Sequence, residues 1–232
     1  MIKLNLCTSI RAETLSDLPD LLSTAFDEGS TYVEIRIDYL IKPDLPSLSN
    51  ILKDRIDQCV LTYRSHLEGG AKKINEKDRI NLIKELASFE PAYLDIELFA
   101  LESNPDIVSY LSGKTQLIAS WHDFDSTPNG VNLFDIMKKS LSHGGLSKII
   151  SNAQNYDDNI TILSLYEKAP KGKLIAFCMG CKGIISRVSA PLLGSPFTYS
   201  SLGDSSTASG QIPVNIMRQF YEIIPIPSIK WL

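Results

Sequence analysis

Eight short runs of β-branched and aliphatic residues recur along the chain, and each leads into a stretch with helical period or turn residues. The runs lie at 2–8, 32–38, 59–64, 92–98, 116–122, 146–151, 174–179 and 197–201. Helical patterns fill 15–28, 76–89, 106–111, 131–142, 159–168 and 214–224, with a weaker one over 43–52. In 76–89, Ile80, Leu82, Ile83 and Leu86 recur at the 3.6-residue period, leaving Lys77, Asp78, Lys84 and Glu85 for an outer face. Strands that alternate with helices predict a parallel sheet. A chain of 232 residues, 44% hydrophobic, has material for one core, and α/β barrels reach roughly 200 to 250 residues without splitting. With eight units, no G-x-G-x-x-G after the first run and no Walker P-loop, the expectation is an α/β fold, a (β/α)8 TIM barrel forming one catalytic domain over 1–232. A doubly wound open sheet is the alternative. The segment Ile224-Pro225-Ile226-Pro227 reads as the end of the last helix rather than a linker.

Several function classes are disfavoured. The 23 basic and 27 acidic residues are dispersed, so no electrostatic footprint for nucleic acid or an anionic membrane is expected. No segment approaches the ~18 consecutive apolar residues of a spanning helix. The N-terminal Met1-Ile2-Lys3-Leu4-Asn5-Leu6-Cys7 starts directly with strand-like alternation, without an apolar h-region or small-residue cleavage site. A cytoplasmic protein acting on a small molecule is the expectation. Cys178-Met179-Gly180-Cys181 has the C-x-x-C spacing, but a zinc site needs two more ligands that three scattered histidines do not supply. Two strand-end cysteines in a reducing compartment are the simpler reading, and no metal is expected.

Parallel strands buried on both faces should read as nearly unbroken apolar runs, so charges inside them call for a reason. Glu34, Arg36 and Asp38 are spaced two apart and should share a face. Asp95 and Glu97 repeat that spacing in the fourth run. The third run ends in Tyr63-Arg64 before Ser65-His66-Leu67-Glu68-Gly69-Gly70, the fifth in Ser120-Trp121-His122-Asp123-Phe124, and the sixth holds Lys148 beside Ile149 and Ile150. Barrel enzymes assemble their sites at the C-terminal ends of strands, where most of these groups fall. Taken singly, each has a plain structural reading: an ion network for Glu34, Arg36 and Asp38, a hydrogen-bonded imidazole for His122, a snorkelling lysine for Lys148. Their convergence favours a site. Arg187, together with the hydroxyl-rich loop from Gly203 to Gln211 ahead of the last helix, suggests an anion pocket built from a guanidinium and helix N-terminal N–H groups.

Glu34-Ile35-Arg36-Ile37-Asp38, Arg64 with Glu68-Gly69-Gly70, Ser120-Trp121-His122-Asp123-Phe124, Lys148, Ser186-Arg187 and Thr207-Ala208-Ser209-Gly210-Gln211 occur in that order across nearly the whole chain. This ordered set resembles type I 3-dehydroquinate dehydratase. The resemblance implies conversion of 3-dehydroquinate to 3-dehydroshikimate and water in the shikimate route to aromatic compounds, with no metal or organic cofactor. It implies that Lys148 forms the imine, His122 transfers protons and Glu68 orients the histidine. It also implies that Glu34, Arg36 and Arg64 line the ring-hydroxyl side of the substrate, and Arg187, Thr207 and Gln211 its carboxylate side. Where the family often has serine and proline, this chain has Thr207 and Ser209; the hydroxyl is kept, and loss of the proline should loosen the loop. Trp121 is a further departure. A homodimer is the assembly to test, although the residues themselves do not give an oligomeric state.

The chemistry suits these residue types. An amine condensed with a ketone gives an iminium that stabilises the adjacent carbanion, after which a β-hydroxyl can leave. Histidine titrates near neutrality and suits both proton transfers. A class I aldolase would also use a strand lysine and an anion site, and a non-catalytic barrel would treat the same charges as structural.

Overall fold

The computed structural model describes residues 4–224. Eight parallel strands form one sheet: β1 Leu6–Ile10, β2 Tyr32–Arg36, β3 Cys59–Thr62, β4 Tyr93–Glu97, β5 Gln116–His122, β6 Leu146–Asn152, β7 Leu174–Met179 and β8 Thr198–Ser201. Their order is β7-β6-β5-β4-β3-β2-β1-β8, each neighbour parallel, which is the (β/α)8 barrel expected. The helices are α1 Leu18–Asp27, α2 Leu45–Leu52, α3 Glu76–Ala87, α4 Leu98–Ser103, α5 Asp106–Leu111, α6 Gly130–Ser142, α7 Asp157–Leu163, α8 Ile184–Ser189 and α9 Val214–Ile223.

Strand alternation sorts the core into two shells. Ile35, Leu61, Leu94 and Ala119 face the helices, where Leu18, Leu48, Ile83 and Leu101 meet them. Cys7, Val60, Tyr93, Ile118, Leu146, Ile175 and Phe197 face inward. Tyr32, Tyr93 and Phe197 pack mutually with centroids 5.4 to 5.5 Å apart, a large apolar contact that fills the N-terminal end of the barrel. Further along β1 to β6 the inward positions turn polar, with Ser9, Glu34, Thr62, Asp95, Ser120 and Lys148, whereas β7 stays apolar at Phe177 and Met179.

Among the described residues β7 and β8 do not pair, so the barrel has a seam. Side chains cover its backbone: the Tyr166 hydroxyl bonds both the N–H and the carbonyl of Ala176, and Ser186 Oγ accepts from Cys178 N at 2.9 Å. A buried edge left without partners would lose the hydration of each such group. The covering residue Ser186 lies on α8, which the sequence patterns did not indicate, and α8 also carries Arg187 into the gap.

Several boundaries differ from the sequence expectation. Leu4 and Asn5 precede the strand rather than belonging to it, and β1 runs on to Ile10, where it pairs with Ile35; residues 2 and 3 lie outside the described residues, as do Pro225 and Pro227. β2 stops at Arg36 and turns through a 3-10 segment, Ile37–Tyr39, because the Asp38 carboxylate accepts from the N–H groups of Arg64 and Ala71 and bends the chain towards them. The 43–52 pattern is a regular helix whose start is capped by Asp44, accepting from Ser47 N. α4 was not anticipated.

Candidate active site

The C-terminal mouth of the barrel opens into a cavity. Glu34, Arg36, Arg64, Glu68, His122, Lys148, Arg187, Thr207 and Gln211 all line it. β2 supplies Glu34 and Arg36, β5 His122 and β6 Lys148, and Arg64 and Glu68 follow β3. In the β5–β6 register Ser120 lies opposite Lys148 and His122 opposite Ile150. His122 therefore sits one inward layer above Lys148.

Lys148 is 4% exposed. Its Nζ lies 2.8 Å from Asp95 Oδ2 and 3.5 Å from Glu34 Oε1, and 4.1 Å from the centre of the Tyr199 ring. A buried ammonium requires this kind of pairing, since desolvation alone would be severe. Burial works against the Asp95 carboxylate, but Arg64 and then Lys148 outweigh it and hold Asp95 well below the usual carboxylate range. Arg64 touches Asp95 at 2.9 Å, Glu97 at 3.1 Å and Ser120 Oγ at 2.6 Å. Glu34 is held by the hydroxyls of Ser9 and Thr62.

His122 Nδ1 is 2.8 Å from Glu68 Oε2. Burial, then the charges of Arg64 and Lys148, keeps the imidazole well below its ordinary range, so it is uncharged at neutrality. Burial pushes the Glu68 carboxyl up to about 8, with Arg64 opposing. Phe124 stacks on His122 at 6.1 Å between centroids. At Gly69, with φ 81°, an added Cβ would stand 2.6 Å from the Phe124 ring; the glycine is what lets Phe124 close over the Glu68–His122 pair.

Arg187 is 1% exposed and lies over the Phe177 ring at 4.3 Å. Its Nη1 reaches the Tyr199 carbonyl at 3.4 Å, while Nε and Nη2 have no partner among the described residues. Burial brings its pKa down to about 10. A guanidinium left this way beside a cavity has two donors free to meet an anion.

Two expectations need correction. Glu34, Arg36 and Asp38 do not form one cluster: Asp38 sits beyond the strand end and takes Arg36 bidentately at 2.9 and 2.8 Å, leaving Glu34 to Lys148. Nor do helix N-terminal N–H groups line the anion side. α9 starts at Val214, after the cavity loop, and the N–H groups of Thr207 and Ala208 both donate to Gln211 Oε1. That internal bonding closes the loop without proline at 209, and Ser209 O accepts from Gly180 N at 3.2 Å. Asp95 stands out in the sequence as a charge in a strand but not as a site residue, and Tyr199, Phe177 and Met179, which also line the cavity or face Lys148, do not stand out at all. All fall on the inward alternation of their strands, which was the available signal.

The sequence pattern of the Type I 3-dehydroquinase family matches residues 6–227. The chain belongs to that family. It is thereby an enzyme of a hydro-lyase family, as its motif order implied. A 3-dehydroquinate dehydratase of Dehalococcoides mccartyi is 34% identical over 212 residues, covering 90% of this chain and 93% of the relative. One from Methanocaldococcus jannaschii is 33% identical, covering 86% and 90%. Among solved structures, the 3-dehydroquinate dehydratase of Aquifex aeolicus superposes with a TM-score of 0.80 at 28% identity, covering 94% and 98%. The barrel of the Geobacillus kaustophilus enzyme superposes at 0.88 and 24% identity, covering 97% and 93%. No helix among the described residues of this 3-dehydroquinase family member is long and apolar enough to cross a membrane.

Proposed function

We propose that this chain converts 3-dehydroquinate to 3-dehydroshikimate and water through a Schiff base on Lys148, as a cytoplasmic step of the shikimate pathway. The observation that carries the proposal is Lys148 itself: a buried amine, flanked by Asp95 and Glu34, in one cavity with an uncharged His122 and a half-unpaired Arg187.

The Lys148 amine adds to the substrate ketone, and loss of the carbonyl oxygen as water leaves an iminium. That cation accepts the electron pair released when a proton leaves the adjacent carbon, so the route calls for no metal or organic cofactor. His122 takes this proton and returns it to the departing β-hydroxyl, which leaves as water. Hydrolysis of the imine restores the lysine and consumes one water, for a net loss of one. The 2.8 Å Glu68–His122 contact suits both steps: a proton on Nδ1 leaves Nε2 free as a base, and once Nε2 has taken the substrate proton Glu68 stabilises the imidazolium that gives it back. Arg187 receives the substrate carboxylate beside Thr207 and Gln211, and Glu34, Arg36 and Arg64 meet its hydroxyls.

Borohydride added with 3-dehydroquinate should inactivate the enzyme and fix ligand mass on the peptide containing Lys148. Lys148→Ala should accept no adduct and lose turnover, read as the ultraviolet absorbance of the conjugated enone. An adduct on another lysine, or full activity in Lys148→Ala, refutes the mechanism.

A further inference from the structure

Five buried charges run in file from the helical layer to the centre of the barrel. Arg79, on α3 outside the sheet, is 1% exposed and places Nη1 2.6 Å from Glu97 Oε2. The other oxygen of Glu97 lies 3.1 Å from Arg64 Nη1. Arg64 Nη2 is 2.9 Å from Asp95 Oδ1, and Asp95 Oδ2 is 2.8 Å from Lys148 Nζ. The signs alternate at every step. Arg79 Nη1 also donates to the Tyr63 carbonyl at 2.9 Å, and its remaining nitrogens hold Glu76 at 2.9 and 2.7 Å, at the solvent end of the file.

We infer that Arg79 is a positioning residue for the reaction: through Glu97 and Arg64 it governs how firmly Asp95 holds Lys148. The inference rests on the proposed role of Lys148 as the nucleophile. A lysine attacks only as the neutral amine, and in that state Arg79 and Arg64 balance Glu97 and Asp95, two charges against two. Without Arg79, Arg64 is the one cation within salt-bridge distance of Glu97 among the described residues. Arg64 is then divided between two carboxylates, and Asp95 keeps the Lys148 ammonium as its compensating charge. Water screens such buried groups weakly, so the imbalance is felt along the file. The other groups that face Lys148 are Glu34 from β2, Cys7 from β1, His122 from β5 and the Tyr199 ring from β8. None of them bonds Arg79, so they act equally in wild type and variants.

The test is trace acetylation by acetic anhydride at one fixed pH, with Lys148 labelling measured against the exposed Lys138 in the same sample. Arg79→Gln should label Lys148 about tenfold more slowly, the equivalent of one pH unit, and Arg79→Lys should restore most of the rate. Glu76→Gln should act the other way. It leaves the whole Arg79 charge to Glu97, releases Arg64 to Asp95 and raises Lys148 labelling roughly twofold, a small effect because Glu76 is partly solvated. Equal labelling in folded Arg79→Gln and wild type overturns the inference. If Arg79→Gln does not fold, Glu76→Gln decides: a rise supports the relay and an unchanged or lower rate overturns it. Labelling uses no substrate, so failure of borohydride to trap 3-dehydroquinate on wild-type Lys148 would sink the Schiff base while leaving the labelling order to be judged separately.

Discussion

Replacing Arg187 with methionine should make the unliganded protein more stable and the enzyme far worse. Burial takes this guanidinium from its ordinary range down to a pKa of about 10, and that drop corresponds to roughly 3 kcal/mol of resistance to the charged form. In the unfolded chain the group is charged at every pH below its ordinary value. The folded state therefore carries the full penalty below about 10, and the penalty fades as pH rises towards the unfolded value. Methionine removes it while filling much of the same space over Phe177. The variant also loses the cation–π contact at 4.3 Å and the long bond to Tyr199 O, about 1 kcal/mol each. A net gain of about 1 kcal/mol remains, which for a chain of this size raises Tm by roughly 2 to 4 °C. Binding moves the opposite way, because the substrate carboxylate loses a buried charged partner worth about 2 to 5 kcal/mol, or roughly 30- to 5,000-fold in affinity. Thermal denaturation near pH 7 and steady-state kinetics on one preparation read both effects. A lower Tm together with a wild-type KM would refute the reasoning on both counts.

His122→Ala should lower kcat by about 10² to 10⁴-fold yet still allow borohydride to fix substrate on Lys148; near-normal turnover removes His122 as the proton carrier. Glu68→Gln should gain stability relative to wild type as pH rises from about 4.5 to about 8. In wild type the unfolded carboxyl ionises first across that window and draws the equilibrium towards unfolding. Melting curves that keep a constant offset across the window would contradict the raised Glu68. Asp95→Asn should destabilise the fold by about 3 to 5 kcal/mol, because Lys148 and Arg64 both lose a buried carboxylate. Denaturant unfolding with an unchanged midpoint would show that other groups compensate.

Much of this protein was legible in the order of its residues, for a local reason. Side chains two apart in a strand share a face, so Glu34 with Arg36, Asp95 with Glu97, and Ser120 with His122 could each be assigned to one side from spacing alone. β5 and β7 begin and end where their apolar runs do, and the barrel followed from eight such runs alternating with helices. The family motifs, too, are short stretches of sequence that need no knowledge of their neighbours. What the sequence left open was pairing. Glu34, Arg36 and Asp38 read as one cluster, yet the turn after Arg36 takes Asp38 out of the pleat, while barrel closure brings Glu34 to Lys148 from 114 residues away. Arg79 read as one more helix position, and only the packing of α3 against β4 shows it buried on Glu97. Arg187 reaches the cavity because the sheet has a seam between β7 and β8 and a short helix fills it. Strand spacing is set within a few residues, whereas the partner of a buried charge depends on how all eight strands are staggered and closed, and that is decided only in the folded barrel.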